Sequence, residues 1–183
     1  MTAAAYYTVG HSTRTIEAFV KLLRTADVGC VVDVRSVPRS RTNPQYNRDS
    51  LPASLAPYGI DYTHIAELGG LRGKSREVPG HVNAYWQNQS FHNYADYTHS
   101  VAFDQGFERL LELGTRHVCT IMCSEAVWWR CHRRILTDYL LQHGEQVYHL
   151  MGAARIDPAR QTAAVTPIGT GKLAYPAREV PEL

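Results

Sequence analysis

HVCTIMCSEAVWWRCHRR, residues 117–134, changes character halfway along. Val118 to Met122 is an apolar run of the length of a buried strand. Beyond it the spacing predicts a helix that begins between Glu125 and Trp128 and carries Trp128, Cys131, His132, Ile135, Leu136, Tyr139 and Leu140 on one face. Cys123 then stands where the strand stops, and Cys131, His132 and Arg133 follow about two helical turns later. In open α/β sheets the carboxyl end of a strand is where ligands bind, so this junction is the first place to look for a site.

The flanking sequence repeats the same alternation. Strands are expected near residues 6–10, 30–34, 60–65, 117–122 and 146–150. Ile16, Phe19, Val20 and Leu23 recur at i, i+3, i+4 and i+7 after Thr15, a good N-cap, and so mark an amphipathic helix. A short helix is expected from Asp49 to Leu55 and a long one from Tyr94 to Leu113, with an irregular segment at 73–93. Strands alternating with helices predict one α/β domain over residues 1–151, a mainly parallel sheet of about five strands with helices on both faces. From Gly152 onward four prolines and no apolar period predict an irregular tail over 152–183, packed on the surface or partly disordered.

Bulk properties exclude several classes. The chain of 183 residues has the length of one domain and can bury a core unaided by metal or disulfide. A net charge of +2 does not by itself imply a polyanion partner. The basic residues are sixteen arginines against three lysines, which reflects either genome composition or planar recognition of phosphate and carboxylate. No apolar run approaches the roughly 20 residues of a membrane span, and the start of the chain lacks a basic segment followed by an apolar core. The four cysteines, 30, 119, 123 and 131, suit buried thiols in a reducing cytoplasm better than a disulfide framework.

The strand ends share one edge, and polar residues recur there: His11 and Ser12, then Asp33, Arg35, Arg39 and Arg41, then Glu67 and Arg72, then Cys123 and Glu125, with His132 and Arg133 on the helix beyond. A helix start beside Cys123 would favour its thiolate; a plain buried thiol is the competing reading. His132 is either a core histidine bonded to a carbonyl or a proton carrier beside Cys123. Glu125 either favours the helix start or serves as acid or base. Cys123, Cys131 and His132, with Glu125 or His11, are also zinc-type ligands. Their spacing is not that of a familiar zinc module, and neighbours on a helix point about 100° apart, which argues against Cys131 and His132 binding one ion.

VGHS at 9–12, VVDVRSVPRSR at 31–41, ELGGLR at 67–72, YADY at 94–97, MCSEA at 122–126 and CHRRIL at 131–136 together resemble the family of unknown function numbered 488, from about Tyr7 to Leu150. The resemblance implies a small α/β protein and places the family's Cys, Glu and Cys-His-Arg pattern on Cys123, Glu125, Cys131, His132 and Arg133. It implies no reaction and no cofactor. VVDVRS and the strand-end Cys also look like the outline of rhodanese and thiol phosphatase domains. Those families follow the Cys with a glycine-bearing anion loop closed by Arg; here Ser-Glu-Ala-Val-Trp-Trp follows, and the chain is assigned to neither.

The expected function is therefore an enzyme acting on an anionic substrate, a phosphate or carboxylate compound and possibly a nucleotide or nucleic acid. Cys123 would be the nucleophile, His132 the proton carrier and Glu125 its partner. His11, Ser12, Arg35, Arg39, Arg41, Arg72 and Arg133 would hold the substrate. The alternatives are a nucleic-acid-binding module using the same arginines, and a metal-binding protein with Cys and His ligands.

Overall fold

The computed structural model describes residues 5–169 and 171–178; the end of the expected tail, 179–183, lies outside them. Five strands run parallel, as expected: β1 (Ala5–Gly10), β2 (Cys30–Asp33), β3 (Asp61–His64), β4 (Cys119–Cys123) and β5 (Gln146–Gly152). A sixth, β6 (Arg155–Pro158), pairs antiparallel with β5, and the order across the sheet is β3-β2-β4-β1-β5-β6.

Alternate strand residues face opposite layers, which is what period-two side-chain geometry requires. Val9, Val31, Met122 and Leu150 pack with Phe19, Val20 and Leu23 of α1 (Ile16–Arg24) and Leu51 and Leu55 of α2 (Leu51–Leu55). On the other face Tyr6, Cys30, Val32, Cys119 and Ile121 pack with three helices. These are α3 (Gln89–Tyr97), α4 (Val101–Gly114) and α5 (Arg133–Gln142). Neighbouring strands β1 and β4 thus lead to helices on opposite faces. The crevice between their carboxyl ends is the switch point at which such sheets bind ligands.

Two expectations are corrected. The long helix at 94–113 is two helices, because Thr98 Oγ1 donates to the Ala95 carbonyl at the end of α3 and the Ser100 side chain accepts from Phe103 N at the start of α4. The helix after β4 begins at Arg133, not near Glu125. Ser124 instead uses its carbonyl to accept from Ser12 N at 3.1 Å, so the chain crosses the end of β1 before it can coil. Gly10 permits the crossing: a Cβ there would lie 1.9 Å from the Glu125 carbonyl oxygen.

The described part of the tail, expected as an irregular wrap, carries short strands between irregular stretches and packs into the core. Besides β6 it forms the antiparallel pair β7 (Thr166–Ile168) and β8 (Lys172–Ala174). Leu173 and Tyr175 are fully buried in the main core. Tyr175 donates to Asp138 Oδ2 at 2.9 Å, and Asp138 Oδ1 accepts from Thr162 N at 2.8 Å. The prolines interrupt any apolar period, so side-chain anchors of this kind leave little trace in the sequence.

Candidate functional site

Two residues beyond β2, Arg35 is 5% exposed and clamps Asp33 in a bidentate pair, with Nε to Oδ1 at 2.9 Å and an Nη2 to Oδ2 contact of 2.7 Å. Tyr62 donates its hydroxyl to the same carboxylate, and Arg35 also donates to the Tyr46 carbonyl. Arg35 Nη1 lies 3.3 Å from His11 Nε2. An arginine has only donors, so that nitrogen accepts and Nδ1 carries the proton given to the Ser12 carbonyl at 2.8 Å. Burial, and then the Arg35 and Arg133 charges, bring the His11 pKa down to about 4 against the raising effect of the Ser12 carbonyl, so the ring is neutral at pH 7. It stacks on Tyr46 at 4.1 Å.

Across the crevice, Cys123 ends β4 and pairs in register with Gly10. The chain then runs through Ser124 to Val127 and a 3₁₀ turn at Trp128–Arg130. Cys131 is extended, with φ −128° and ψ 149°, and His132 is the cap residue of α5. This abrupt change of backbone directs two adjacent side chains to the same place, which a continuous helix would not do. Sγ of Cys123, Sγ of Cys131 and a ring nitrogen of His132 all lie within 4.8 Å of one another. Cys131 Sγ is 3.5 Å from His132 Nδ1.

The surroundings fix these groups. His132 Nε2 is 2.9 Å from the Val34 carbonyl, which accepts its proton, so the Nδ1 lone pair faces the sulfurs. Tyr94 packs edge-on against the ring at 4.9 Å. Gly70 gives the ring its room, since a Cβ there would be 2.5 Å from Nδ1. Arg133, 1% exposed, donates Nε to Cys131 Sγ at 3.3 Å and Nη2 to the Glu125 carbonyl.

Burial alone would oppose a charge on Cys131, but the neighbouring Cys123 thiol and the Arg133 guanidinium and amide outweigh it and lower the pKa to about 6. The adjacent Cys131 sulfur, then burial, push Cys123 up to about 12. Of the two sulfurs, Cys131 is the one that Arg133 reaches, which favours its thiolate. The expected dipole stabilisation of Cys123 is absent because no helix begins behind it.

Cys123, Cys131 and His132 line a cavity of about 290 Å³ together with Arg35, Ser36, Leu71, Phe91 and Arg130. A second cavity, of about 500 Å³, shares Arg35, Leu71, Ser124 and Glu125 with it and adds His11, Ser12, Arg39 and Asn43. Ser12 holds a left-handed backbone, φ 48°, at its rim. Strain of that kind gathers at functional sites.

Other expected residues do not take the roles expected of them, although Glu125 lines both cavities and Arg39 the second. Glu125 is exposed and accepts from Val127 N at 3.4 Å; His132 is held by Val34 instead. Arg133 lies beneath the site. Arg39 is an exposed side chain 3.6 Å from Asp49. Arg41 is exposed and lines neither of the two cavities. Arg72 folds over Tyr97 at 3.8 Å and donates to the Gly69 and Ala66 carbonyls.

Sequence reasoning missed Ser36, Phe91 and Arg130. Ser36 Oγ accepts from Leu71 N at 2.9 Å, and the paired glycines before Leu71 were the available signal for that close approach.

These features define an α/β protein with a doubly wound parallel sheet and a thiol–imidazole cluster at its switch point. The chain belongs to the family described as Domain of unknown function DUF488, whose model matches residues 15–140. No curated protein matches the chain, and no solved structure does. Among the described residues, no helix is long and apolar enough to cross a membrane.

Proposed function

We propose that the chain is an enzyme that acts on a small anionic molecule in the paired cavities, with Cys123, Cys131 and His132 as its reactive centre. The observation that carries this reading is the convergence of two sulfurs and an imidazole lone pair on the floor of an open cavity. A core has no need of such a cluster, and its orienting partners, Val34 and Arg133, hold it in one geometry. Anion preference is supported by Arg130 in the first cavity and Arg39 in the second, both exposed, with the Ser12 hydroxyl and Asn43 amide beside them. Arg35 is neutralised by Asp33 and sets the position of His11. Arg72 is tied to its own loop, so neither is counted as a substrate ligand.

The test is a thermal-shift panel of phosphate esters and small carboxylates, followed by mass spectrometry of each stabilising compound after incubation. A ligand at 100 times its Kd stabilises by about 2.7 kcal/mol, or roughly 5–10 °C for a domain of this size. We expect such a shift for at least one anion, its loss in Arg39→Ala or Arg130→Ala, and consumption of the compound by the wild type but not by Cys131→Ser. A panel with no stabilising anion, or consumption unchanged in Cys131→Ser, would contradict the reading.

A further inference from the structure

We infer that Cys123, Cys131 and His132 form a three-ligand site for one borderline-soft divalent cation of the zinc class, with the fourth coordination position open to the cavity. Two thiolate-type sulfurs and one imidazole are a donor set that selects zinc and excludes magnesium or calcium, which take oxygen ligands.

The geometry agrees with the chemistry. Tetrahedral zinc with bonds of about 2.3 Å to sulfur and about 2.05 Å to nitrogen separates those two ligand atoms by about 3.6 Å. Cys131 Sγ and His132 Nδ1 are 3.5 Å apart, and Cys123 Sγ lies within 4.8 Å of both. The imidazole presents the nitrogen that a metal needs. Its other nitrogen gives its proton to the Val34 carbonyl, which is how metal-bound histidines are usually oriented. Arg133 donates an N–H to Cys131 Sγ, a contact suited to a sulfur held as thiolate.

The expectation against a shared ion assumed a helix through Cys131 and His132. The extended backbone at Cys131 removes that objection. Glu125 is not one of the converging ligands, and all three ligand residues line the cavity, so a water or an electron-rich group of a bound molecule can reach a fourth position from it. Three protein ligands and one open position are the arrangement of catalytic rather than structural zinc.

This inference uses the reactive centre of the proposed enzyme but does not depend on turnover, and binding is read without any substrate. The full chain, treated with chelator and exchanged into metal-free buffer, is titrated with Co²⁺ and followed by absorbance. One equivalent should bind per chain, giving sulfur-to-metal charge-transfer absorption in the near ultraviolet and visible bands of tetrahedral intensity; Zn²⁺ should then displace it.

Cys123→Ser and Cys131→Ser should each reduce the charge-transfer band and weaken affinity at least tenfold. His132→Gln should weaken affinity while retaining the band. Cys30→Ala, which alters the other buried thiol pair, should leave the titration unchanged. Circular dichroism on every variant separates loss of ligand from loss of fold. For a variant that does not fold, Gly70→Ala, which places a methyl beside Nδ1, takes its place and should likewise weaken binding. No saturable Co²⁺ binding, or a band of undiminished intensity in folded Cys123→Ser and Cys131→Ser, would overturn the inference. The anion panel in chelator would still stand or fall separately.

Discussion

Asp33 and Arg35 show how a single pair shapes the site. The pair is buried and doubly hydrogen-bonded, so its removal as a whole costs less than the loss of one partner. Asp33→Ala leaves Arg35 charged without its counter-ion and should destabilise the fold by about 3–5 kcal/mol. Asp33→Ala with Arg35→Met should recover part of that in urea denaturation. Equal losses in the single and double variants would mean that the ion pair is not what holds the loop after β2.

His149 gives the residue scale a pH dependence. It is 1% exposed, stacked on Trp128, with Nδ1 2.7 Å from Thr8 Oγ1 and Nε2 without a hydrogen-bond partner among the described residues. Asp157 faces it across the β5–β6 ladder. Burial, then the Arg133 charge, lower its pKa to about 4, against the smaller opposing effect of Asp157. The folded pKa lies below the unfolded value of about 6.5, so the associated stability is present above pH 6.5 and is lost as pH falls toward 4. That loss is on the order of 3 kcal/mol. Urea midpoints at pH 7 and 4.5 should differ less in His149→Gln than in wild type; an unchanged difference would rule out this histidine as the cause.

At the scale of elements, the parallel strands and α1 were legible because their signals are local: β-branched runs, a 3.6-residue period and a capping Thr15. The residues of the cluster were legible too, from CSEA and CHRR at a strand end. Their geometry was not. It depends on the segment between Cys123 and Arg133, where Trp128, in phase with Cys131 and His132, imitates a helical face. Long-range contacts to Ser12 and Gly10 there override local preference. No window of sequence contains those partners.

The crossing of β1 by that segment yields its own prediction. Gly10→Ala would force the Glu125 carbonyl away and should cost about 1–3 kcal/mol by overpacking. Gly73→Ala, where a Cβ meets nothing within 4 Å, should be close to neutral. Similar chemical denaturation curves for the two would contradict the account of why the helix starts late.

Over the whole molecule, the ordered tail residues extend beyond the stretch matched by the family and complete the core. Tyr175 fills space against Trp86 and binds Asp138 of α5, the helix that begins at the site. Tyr175→Ala should therefore destabilise by about 3–5 kcal/mol, as large aromatic truncations in a core do. A thermal unfolding change equivalent to less than about 1 kcal/mol would mean that the tail only covers the surface, as the proline-rich sequence suggested. The anionic reading is also set at this scale: most of the arginines expected to gather are spent on Asp33, Tyr97 and main-chain carbonyls, which leaves Arg39 of that set, joined by the unforeseen Arg130, to face the cavities.

The central claim is that Cys123 and Cys131, the latter only 5% exposed, meet side by side at the wall of the cavity. Phenylarsine oxide, which bridges two thiols only when they lie side by side, tests it directly on the native protein. The account predicts one arsenical per chain, mapped by peptide mass spectrometry to Cys123 and Cys131 together and lost when either is changed to Ser. Failure to bridge them in the folded chain, or capture at Cys30 and Cys119 instead, would contradict it.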